Sequence, residues 1–534
     1  MRGWNLIYRA ASIHPGYYES WVAKAEGRII QRFCAERAPA SRPPSIGCLI
    51  LGPGVEQARR TLRSVRASLG PAVPVWTNVA MPVADGAMPV ADGTMQIADG
   101  SPLGEGLAGP EPDWLLPLRA GDTLSPALGA ILARVAHDRS RNPALGPVIF
   151  WDEDRLHDGR RRDPWVKPGY DPMLFGDGDG VIGAGLIAMP AIRAAAKECA
   201  TRADLAGVTD AVARILAVGD LAPLHLPLIL THRCFDVGVN RPVGDKPSRG
   251  RPLPSAPPVW PHVSIIIPMR DRPALLRSCL AGLRMLTYPG RVTITVVDND
   301  SIEAETHALL AQLKHDGAAD VLPCPGAFNF AAMINHAVEN TSGDVLCLLN
   351  NDVEPRDGRW LETMVRHAVQ EEIGAVGARL LYADGTIQHA GIAIGTGGAA
   401  GHVQKGISPD EPRFHHWHAR SRTVSAVTAA CMVLERSKFQ AAGGMDAATW
   451  AVDFNDVDLC LKLVACGMRN VLTVEATLVH HESQSRGTRR SPEASERFAR
   501  ELEALQSRWA TRTWQDPHHS VRFRREAEQC ILAF

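Results

Sequence analysis

The stretch Gly343-Asp-Val-Leu-Cys-Leu-Leu-Asn-Asn-Asp-Val353 decides the fold assignment, because an apolar run stops abruptly in polar residues. An apolar run of this length, bounded by turn-forming residues, is typical of a buried strand in a parallel sheet. In open α/β sheets the ligand-binding crevice lies beyond the carboxyl ends of such strands. Asn350, Asn351 and Asp352 therefore have two interpretations: a simple Asn/Asp turn, or a site that holds a hard cation against a phosphate.

Two other predicted strands in this half of the chain also end in polar residues. Residues 263–268 lead into Arg270 and Asp271, and residues 292–297 lead into Asp298 and Asn299. Helices are predicted between the strands, at 273–286, 306–315 and 328–340. Alternation of strands with helices indicates a mostly parallel sheet with right-handed crossovers. Three polar strand ends are then presented to one crevice, which is harder to explain by turns alone.

Composition limits the possible functions. A chain of 534 residues is expected to form two or three domains. Its formal net charge of −1 gives no reason to expect nucleic acid as a partner. No apolar stretch approaches the roughly 20 residues needed to span a bilayer. The eleven cysteines are scattered without a Cys-x-x-Cys pair, which favours buried thiols in a reducing cytoplasm and argues against a cysteine metal site.

Proline and glycine divide the chain into segments. Residues 241–260 contain six prolines and are predicted to be a linker between an α/β domain at 1–240 and a second α/β domain at 261–490. A helix and a tail are predicted at 491–534. Three copies of a Met-x-x-Ala-Asp-Gly repeat lie within residues 81–100, and we interpret them as a loop insertion because three copies are too few for a solenoid.

A series of short motifs in the second half resembles a known family. The motifs, in chain order, are residues 263–268, 296–301, 328–330, 348–352, 374–377, 384–391, 428–431, 454–460 and 480–487. In this order and spacing they resemble family 2 glycosyltransferases with the glycosyltransferase-A fold. The closest resemblance is to bacterial enzymes that build O-antigen, capsule and other surface polysaccharides.

The resemblance implies a metal site. Asn350-Asn-Asp352 stands where the family carries an Asp-x-Asp motif, so Asp352 is the expected ligand and Asn350 a weaker, uncharged one. His480 or His481 is expected as a second ligand, because a family histidine falls there; the alternative is a polar strand-end pair packed near Glu482. A site of this kind suits Mn²⁺ or Mg²⁺. With one charge fewer than in many relatives, the metal is expected to share its coordination with the substrate.

The same crevice is expected to bind a nucleotide-diphosphate sugar. The expected donor-binding residues are Pro268, Arg270, Asp271, Asp298, Asn299 and Asn351. Asp298, at a strand end, would accept a hydrogen bond from the ribose or the base. Arg270 has two interpretations, a contact with the phosphates or a salt bridge with Asp271.

Asp456 is the expected catalytic base. It follows Asn455 just before an apolar helix, where the family has an acid-Asp pair whose aspartate deprotonates the acceptor. A carboxylate at a helix start lies near the positive end of the helix dipole, which favours the ionised form that a base needs. The alternative is helix capping by Asp453, Asn455 or Asp456. Direct attack by the acceptor would invert the anomeric centre, as in the family.

The first half resembles the family more weakly. Trp151-Asp-Glu-Asp154 and the predicted strand at 225–230 match the first of two tandem transferase-like domains, and residues 113–122 would be its counterpart of the metal strand. This copy lacks the later acid pair, so we interpret it as degenerate.

The expected function is metal-dependent, inverting sugar transfer to a glycan or a polyprenyl-linked glycan in surface polysaccharide synthesis. Such an acceptor would bring a cytoplasmic chain into peripheral contact with the inner face of the membrane. The alternative is a catalytically inactive scaffold or sugar-binding protein.

Overall fold

The computed structural model describes most of the chain. The described residues are 15–37, 44–79, 94–98, 101–141, 146–176, 178, 180–198, 202–218, 222–234, 253–411, 417–481, 491–528 and 530–534. Most of the predicted linker at 241–260 and two of the three repeat copies lie outside these residues, as do residues 482–490, which include Glu482.

The first half of the chain forms one sheet with helices around it. Its strands are β1 (Ile46–Leu51), β2 (Val75–Thr77), β3 (Thr94–Gln96), β4 (Trp114–Arg119), β5 (Thr123–Leu124), β6 (Val148–His157), β7 (Arg160–Trp165), β8 (Gly185–Ala188) and β9 (Leu224–Cys234). Its helices are α1 (Pro15–Trp21), α2 (Gly27–Ala35), α3 (Val55–Leu69), α4 (Leu103–Gly106), α5 (Leu128–Arg141), α6 (Pro172–Phe175), α7 (Met189–Glu198) and α8 (Leu205–Val218). A π-helical turn at Val22–Glu26 joins α1 to α2.

The second half forms a larger sheet. Its strands are β10 (Val263–Met269), β11 (Val292–Asp298), β12 (Asp320–Pro323), β13 (Val345–Leu349), β14 (Val353–Glu354), β15 (Ile373–Leu381), β16 (Ile387–His389), β17 (Ile392–Ile394), β18 (Ala400–His402), β19 (Arg422–Val424), β20 (Cys431–Glu435) and β21 (Arg469–His480). Its helices are α9 (Pro273–Leu283), α10 (Ala304–His315), α11 (Phe330–Glu339), α12 (Trp360–Ala368), α13 (Arg436–Ala441), α14 (Asn455–Ala465) and α15 (Pro492–Trp509). A 3₁₀ turn at Thr396–Gly398 joins β17 to β18.

The two main sheets have the same topology. Their strand orders are β3-β2-β1-β4-β8-β6-β9-β5 and β12-β11-β10-β13-β20-β15-β21-β14. The first four strands of each order are parallel to one another. The fifth, β8 or β20, is antiparallel to both of its neighbours. The predicted α/β fold with a mostly parallel sheet is confirmed, and the shared order supports the interpretation of two tandem copies.

The apolar runs of the sequence become the buried centre of the second sheet. Every residue of β10 and of β13 is buried, so each strand is covered by helices on both faces. Pro273 opens α9 at a position where its missing N–H is not needed. Asn329 caps α11, since its side chain accepts a hydrogen bond from the backbone N–H of Ala332.

Three elements differ from the sequence-based expectation. Residues 94–96, inside the predicted loop insertion, form the edge strand β3 against β2. Residues 160–165 form β7, a hairpin partner of β6. The predicted tail is packed rather than loose: Asp516 accepts a hydrogen bond from the backbone of Ile394, while Gly169 donates to the backbone carbonyl of Pro517. The tail therefore contacts both halves of the chain.

Asp171 joins the two halves through its buried carboxylate. It accepts hydrogen bonds from the backbone N–H and the hydroxyl of Thr423, each at 2.8 Å, and from the backbone N–H of Met173 at 3.0 Å. Met173 itself packs into the core of the second half.

Replacement of this carboxylate is expected to destabilise the protein. Asp171→Ala leaves buried N–H groups without acceptors, which we expect to cost about 3 kcal/mol of unfolding free energy. Thr423→Val is the matched control, because it removes only the hydroxyl and is expected to cost about 1 kcal/mol. Urea midpoints measure both; equal midpoints for Asp171→Ala and the wild type would contradict the assignment.

Candidate active site

An open crevice of about 460 Å³ lies at the carboxyl ends of β10 and β13, where the sequence predicts ligand binding. The residues that line it are Pro268, Met269, Arg270, Asp271, Arg272, Glu303, Phe328, Phe330, Asn350, Asn351 and Asp352. The structure therefore brings together six of the residues that were singled out from the sequence. The other expected residues lie in the segments that support this crevice.

Asp352 and His480 face each other at the inner end of the site. The short strand β14 pairs with β21 so that Val353 lies opposite His480. This pairing places the Oδ1 atom of Asp352 3.2 Å from the Nε2 atom of His480. Both side chains are buried, with exposed fractions of 4% and 7% for the two residues. The Nδ1 atom of His480 lies 3.3 Å from the amide oxygen of Gln388.

His481 has a different partner. Its Nε2 atom lies 2.9 Å from the Oε2 atom of Glu354, and its backbone N–H donates to the carbonyl oxygen of Asp352. The hydrogen bond from His481 is the largest influence on Glu354, and it lowers the pKa of that carboxyl. The geometry thus separates the two histidines and directs only His480 at the Asp352 carboxylate.

Asp271 and Asn299 hold the donor-side loops in place. The Oδ1 atom of Asp271 accepts hydrogen bonds from the backbone N–H groups of Ile302 and Glu303, at 2.8 and 2.9 Å. The amide of Asn299 donates to the carbonyl oxygens of Cys324 and Gly326. These side chains shape the crevice wall, so any contact that they make with a nucleotide uses their remaining atoms.

Asp298, at the end of β11, also has a local partner. Its Oδ1 atom accepts hydrogen bonds from the hydroxyl and the backbone N–H of Ser301. The hydroxyl oxygen of Ser301 in turn accepts from the backbone N–H of Asp271. Hydrogen bonds to Ser301 therefore link the loop after β10 to the end of β11.

Asn351 and two arginines are available to a ligand in the crevice. Asn351 is only 7% exposed, yet its side chain has no hydrogen-bond partner among the described residues. Arg270 and Arg272 are exposed and form no ion pair within the part of the chain that the structure describes. The predicted alternative of a salt bridge between Arg270 and Asp271 is thus not observed. The amide of Asn351 and two exposed guanidinium groups in one crevice are suited to an anionic, polar ligand.

Asp456 is held at the start of α14. Its Oδ2 atom accepts from the backbone N–H of Ala429 at 3.2 Å, and its Oδ1 atom accepts from that of Val457 at 2.8 Å. Burial raises the pKa of Asp456, while these two N–H groups and the hydroxyl of Thr428 oppose that rise. The helix N-cap position is occupied by Phe454, which makes no side-chain cap, while Asp456 accepts from the first-turn N–H of Val457.

Residues 428–430 connect Asp456 to the end of β13. The carbonyl oxygen of Ala430 accepts a hydrogen bond from the backbone N–H of Asn350, while Ala429 and Thr428 contact Asp456. His389 completes the connection, since its Nε2 atom accepts a hydrogen bond from the backbone N–H of Thr428. The structure thus adds Arg272, Gln388, His389 and Thr428 to the site. The last three lie in motifs that the sequence showed but to which it gave no role.

The side chains at Asp352 suit a divalent cation that is completed by a ligand. A carboxylate oxygen and an imidazole nitrogen that face each other are chemically appropriate donors for Mn²⁺ or Mg²⁺. Over the described residues, no group of three or more His, Cys, Asp or Glu side chains is arranged to hold a metal ion. Within the described residues, a cation here would therefore have two protein side chains as ligands and would need atoms of a ligand or solvent to complete its coordination.

The equivalent position in the first half is filled by ion pairs. In β5 and β9, Thr123 lies opposite His232, as Val353 lies opposite His480, so Asp122 and Arg233 correspond to Asp352 and His481. His232 binds Asp154 at 2.6 Å, and Arg233 binds Glu153 at 2.6 Å. Lys167, fully buried, also pairs with Glu153. The acidic run at 152–154 is thus neutralised by basic side chains.

Comparisons with known proteins agree with this geometry. Residues 264–442 match the sequence model of the family described as Glycosyl transferase family 2. The uncharacterized protein y4gI of Sinorhizobium fredii is 41% identical over 275 residues, which cover 51% of this chain and 30% of that protein. The O-antigen biosynthesis protein RfbC of Myxococcus xanthus is 34% identical over 443 residues, 73% of this chain and 32% of that protein. The chain thus spans about a third of the length of these relatives.

A similar solved structure is the mannosyltransferase PcManGT from Pyrobaculum calidifontis in complex with GDP-Man and Mn²⁺, at 15% identity and a TM-score of 0.35. The match covers 49% of this chain and 68% of the mannosyltransferase chain. The family match extends from β10 through α13 and includes the crevice and Asp352. The chain therefore carries, at residues 264–442, a domain of glycosyl transferase family 2.

Proposed function

We propose that the second half of the chain transfers a sugar from a nucleotide-diphosphate donor to a hydroxyl group of a glycan. The observation that carries this proposal is the crevice beside Asp352 and His480, which is lined by the amide of Asn351 and by two arginines without an ion pair among the described residues. Two guanidinium groups and a cation site together suit a diphosphate, and the family match supports a nucleotide-sugar donor.

Asp352 and His480 are the residues that would hold a divalent cation. When bound, such a cation neutralises the charge that develops on the leaving diphosphate, as a Lewis acid does. Arg270 and Arg272 add positive charge at the same wall of the crevice. Asn351 is placed to bind an oxygen of the donor. Asn350 contributes chiefly through its backbone, which hydrogen-bonds to Ala430 and fixes the strand end.

Asp456 is the proposed base. The acceptor hydroxyl oxygen forms a bond to the anomeric carbon as the bond from that carbon to the diphosphate oxygen breaks. The proton of the hydroxyl passes to the carboxylate of Asp456, and the nucleoside diphosphate leaves with the bonding electrons. One displacement of this kind inverts the anomeric centre. The hydrogen bonds from Ala429 and Val457 keep the carboxylate in place for this step.

The similarity to an O-antigen biosynthesis protein supports a surface polysaccharide, or its lipid-linked precursor, as the acceptor class. The ten described cysteines are free thiols, which supports the expectation of a reducing compartment such as the cytoplasm. Within the described residues, no helix has both the length and the apolarity to cross a bilayer. Contact with an acceptor at the inner face of the membrane would then be peripheral.

We further propose that the first half is not catalytic. At the position that corresponds to Asp352 and His480, Arg233 and Lys167 form ion pairs with Glu153. Breaking these pairs would leave buried charges uncompensated. A scaffold or sugar-binding role, the alternative for the whole chain, is therefore assigned to this half.

A donor panel tests the proposed function. Nucleotide sugars carrying different bases and sugars are incubated with the protein and an acceptor extract, and released nucleoside diphosphate is measured with and without Mn²⁺. We expect release with a narrow set of donors, dependent on the divalent cation. Absence of release with every donor, for a protein shown to be folded, would favour the inactive scaffold.

The dependence of the rate on pH offers a separate test. Because burial raises the pKa of Asp456, its carboxylate becomes protonated at a higher pH than an ordinary aspartate. A base acts only when ionised, so kcat/KM is expected to be constant above this pKa and to fall as the pH drops through it. A rate that rises towards acid pH would contradict the role of Asp456.

A further inference from the structure

We infer that Gln388 and His389, neighbours on β16, are positioning residues, one for the proposed metal site and the other for the proposed base. Gln388 orients the metal-binding histidine, and His389 orients the segment that holds the base. This inference rests on the proposed function and extends it to a strand that does not line the crevice beside Asp352.

The contact of Gln388 with His480 determines which ring nitrogen faces Asp352. The amide oxygen of Gln388 can only accept, so the Nδ1 atom of His480 must donate the proton across the 3.3 Å between them. In the neutral ring, Nε2 then presents a lone pair towards the carboxylate oxygen of Asp352, 3.2 Å away. The Nε2 atom of His480 and the Oδ1 atom of Asp352 are then two acceptors that face each other, as two ligands of one cation do. Partners behind a metal-binding histidine commonly fix its orientation in this way.

The contacts of His389 reach a different segment, at Thr428 beside Asp456. Its Nε2 atom accepts from the backbone N–H of Thr428, so the proton of the neutral ring lies on Nδ1 and is donated to the Nδ1 atom of His402, 2.9 Å away. Burial lowers the pKa of His389 well below its usual value, with His402 and Arg422 adding to the effect, which agrees with a neutral ring. Thr428, fixed at its backbone, hydrogen-bonds through its side chain to Asp456.

The strand itself explains why one dipeptide can serve two sites. The pairing with β15 is irregular here, because Leu380 lies opposite His389 and Leu381 lies opposite Ile387, so Gln388 is the extra residue of a β-bulge, a feature that re-aims a side chain. Gln388 and His389 are both buried, with exposed fractions of 3% and 0%, and β16 is fixed by its pairing with β15. One residue therefore reaches β21 and the other reaches residue 428, and a change in either need not disturb its neighbour's contact.

Two single variants separate these roles. Gln388→Leu is expected to weaken Mn²⁺ binding by about 10- to 100-fold, because His480 loses its orienting partner. Binding is titrated with Mn²⁺ in the presence of the nucleoside diphosphate that the donor panel releases. The Mn²⁺ concentration that gives half of the maximal rate should rise by a similar factor. Gln388→Glu retains an acceptor oxygen and should restore most of the affinity.

His389→Leu is expected to give the opposite pattern. Mn²⁺ binding should be unchanged, while kcat falls by about 10-fold or more, because the base is no longer held in position. Loss of the ordered Thr428 hydroxyl removes an interaction that lowers the pKa of Asp456, so the acid limb of the pH–rate profile should move to higher pH. His389→Gln keeps an acceptor for the backbone N–H of Thr428 and should recover part of the rate.

The pattern across the pair decides the inference. If Gln388→Leu and His389→Leu each reduce metal affinity and kcat together, β16 has only a structural role and the inference is wrong. If both conservative variants behave like their leucine counterparts, the hydrogen bonds are not responsible, and the inference also fails. A wild-type protein that neither binds Mn²⁺ with a nucleoside diphosphate nor releases one would instead overturn the proposed function.

Discussion

Replacement of Asp456 by asparagine is expected to lower kcat for sugar transfer by about 10³-fold while leaving donor affinity within about twofold of the wild type. The amide keeps the size of the side chain, and its single oxygen can accept one of the two hydrogen bonds that Ala429 and Val457 donate, so most of the local structure is retained. What it cannot do is take the proton of the acceptor hydroxyl. Single-turnover measurements with the active donor, together with donor titrations, separate the two quantities.

Asp453→Asn is the matched control for that variant. It makes the same chemical change three residues earlier in the same segment, at a residue whose carboxylate lies 4.0 Å from Arg497 on α15. We expect less than a threefold change in kcat, since exposed and half-exposed ion pairs contribute little. Comparable losses in both variants would show that negative charge in this segment, and not a base at residue 456, is what the rate requires.

The second large effect is expected at Asp352. Asp352→Asn removes the carboxylate that faces His480. We expect the affinity for the nucleotide-sugar donor, measured in the presence of Mn²⁺, to fall by at least about 100-fold. Donor affinity measured without a divalent cation should change little, because the cation is the link between this carboxylate and the diphosphate. Calorimetric titration of the donor with and without Mn²⁺ gives both values.

Asp122→Asn is the matched control in the first half. Asp122 holds the corresponding position in the first sheet, and burial raises its pKa to about 6, so its environment already tolerates a neutral side chain. The variant should bind the donor as the wild type does. If Asp122→Asn and Asp352→Asn weakened binding equally, the first half would contain a working site and its assignment as non-catalytic would be wrong.

Much of the fold could be predicted from local patterns. Residues 263–268 and 345–349 are apolar runs that end in proline or asparagine, and both form fully buried strands. The three polar strand ends could be predicted to meet, because parallel strands bring their carboxyl ends to one edge. Asp352 was identified for this reason, and the structure places it in the crevice.

The contacts that organise the site could not be predicted in this way. Gln388 and His480 are 92 residues apart, and His389 and Thr428 are 39 apart, so neither pair leaves a local signal in the sequence. The same limitation applies to Asp271, whose position suggested a donor contact while its Oδ1 atom binds the backbone of a different loop. These partners can be identified only in the structure, which brings together segments that are distant in the sequence.

The first half shows a related limit. Its resemblance to the second half in sequence is confined to a few residues, yet the strand order is the same. The predicted strand at 225–230 extends to Cys234, and only this extension brings His232 and Arg233 to the position that corresponds to the metal site. The missing acids predicted a degenerate first half, whereas the buried ion pairs of His232 and Arg233 could be seen only in the structure.

Anomalous X-ray scattering from Mn²⁺ tests the central claim most directly, in crystals grown with the nucleoside diphosphate that the panel identifies. The account predicts one strong manganese peak between the Oδ1 atom of Asp352 and the Nε2 atom of His480, with the diphosphate in the adjoining crevice. A manganese peak at His481 and Glu354, or at Asp122 in the first half, with none at Asp352, would contradict it.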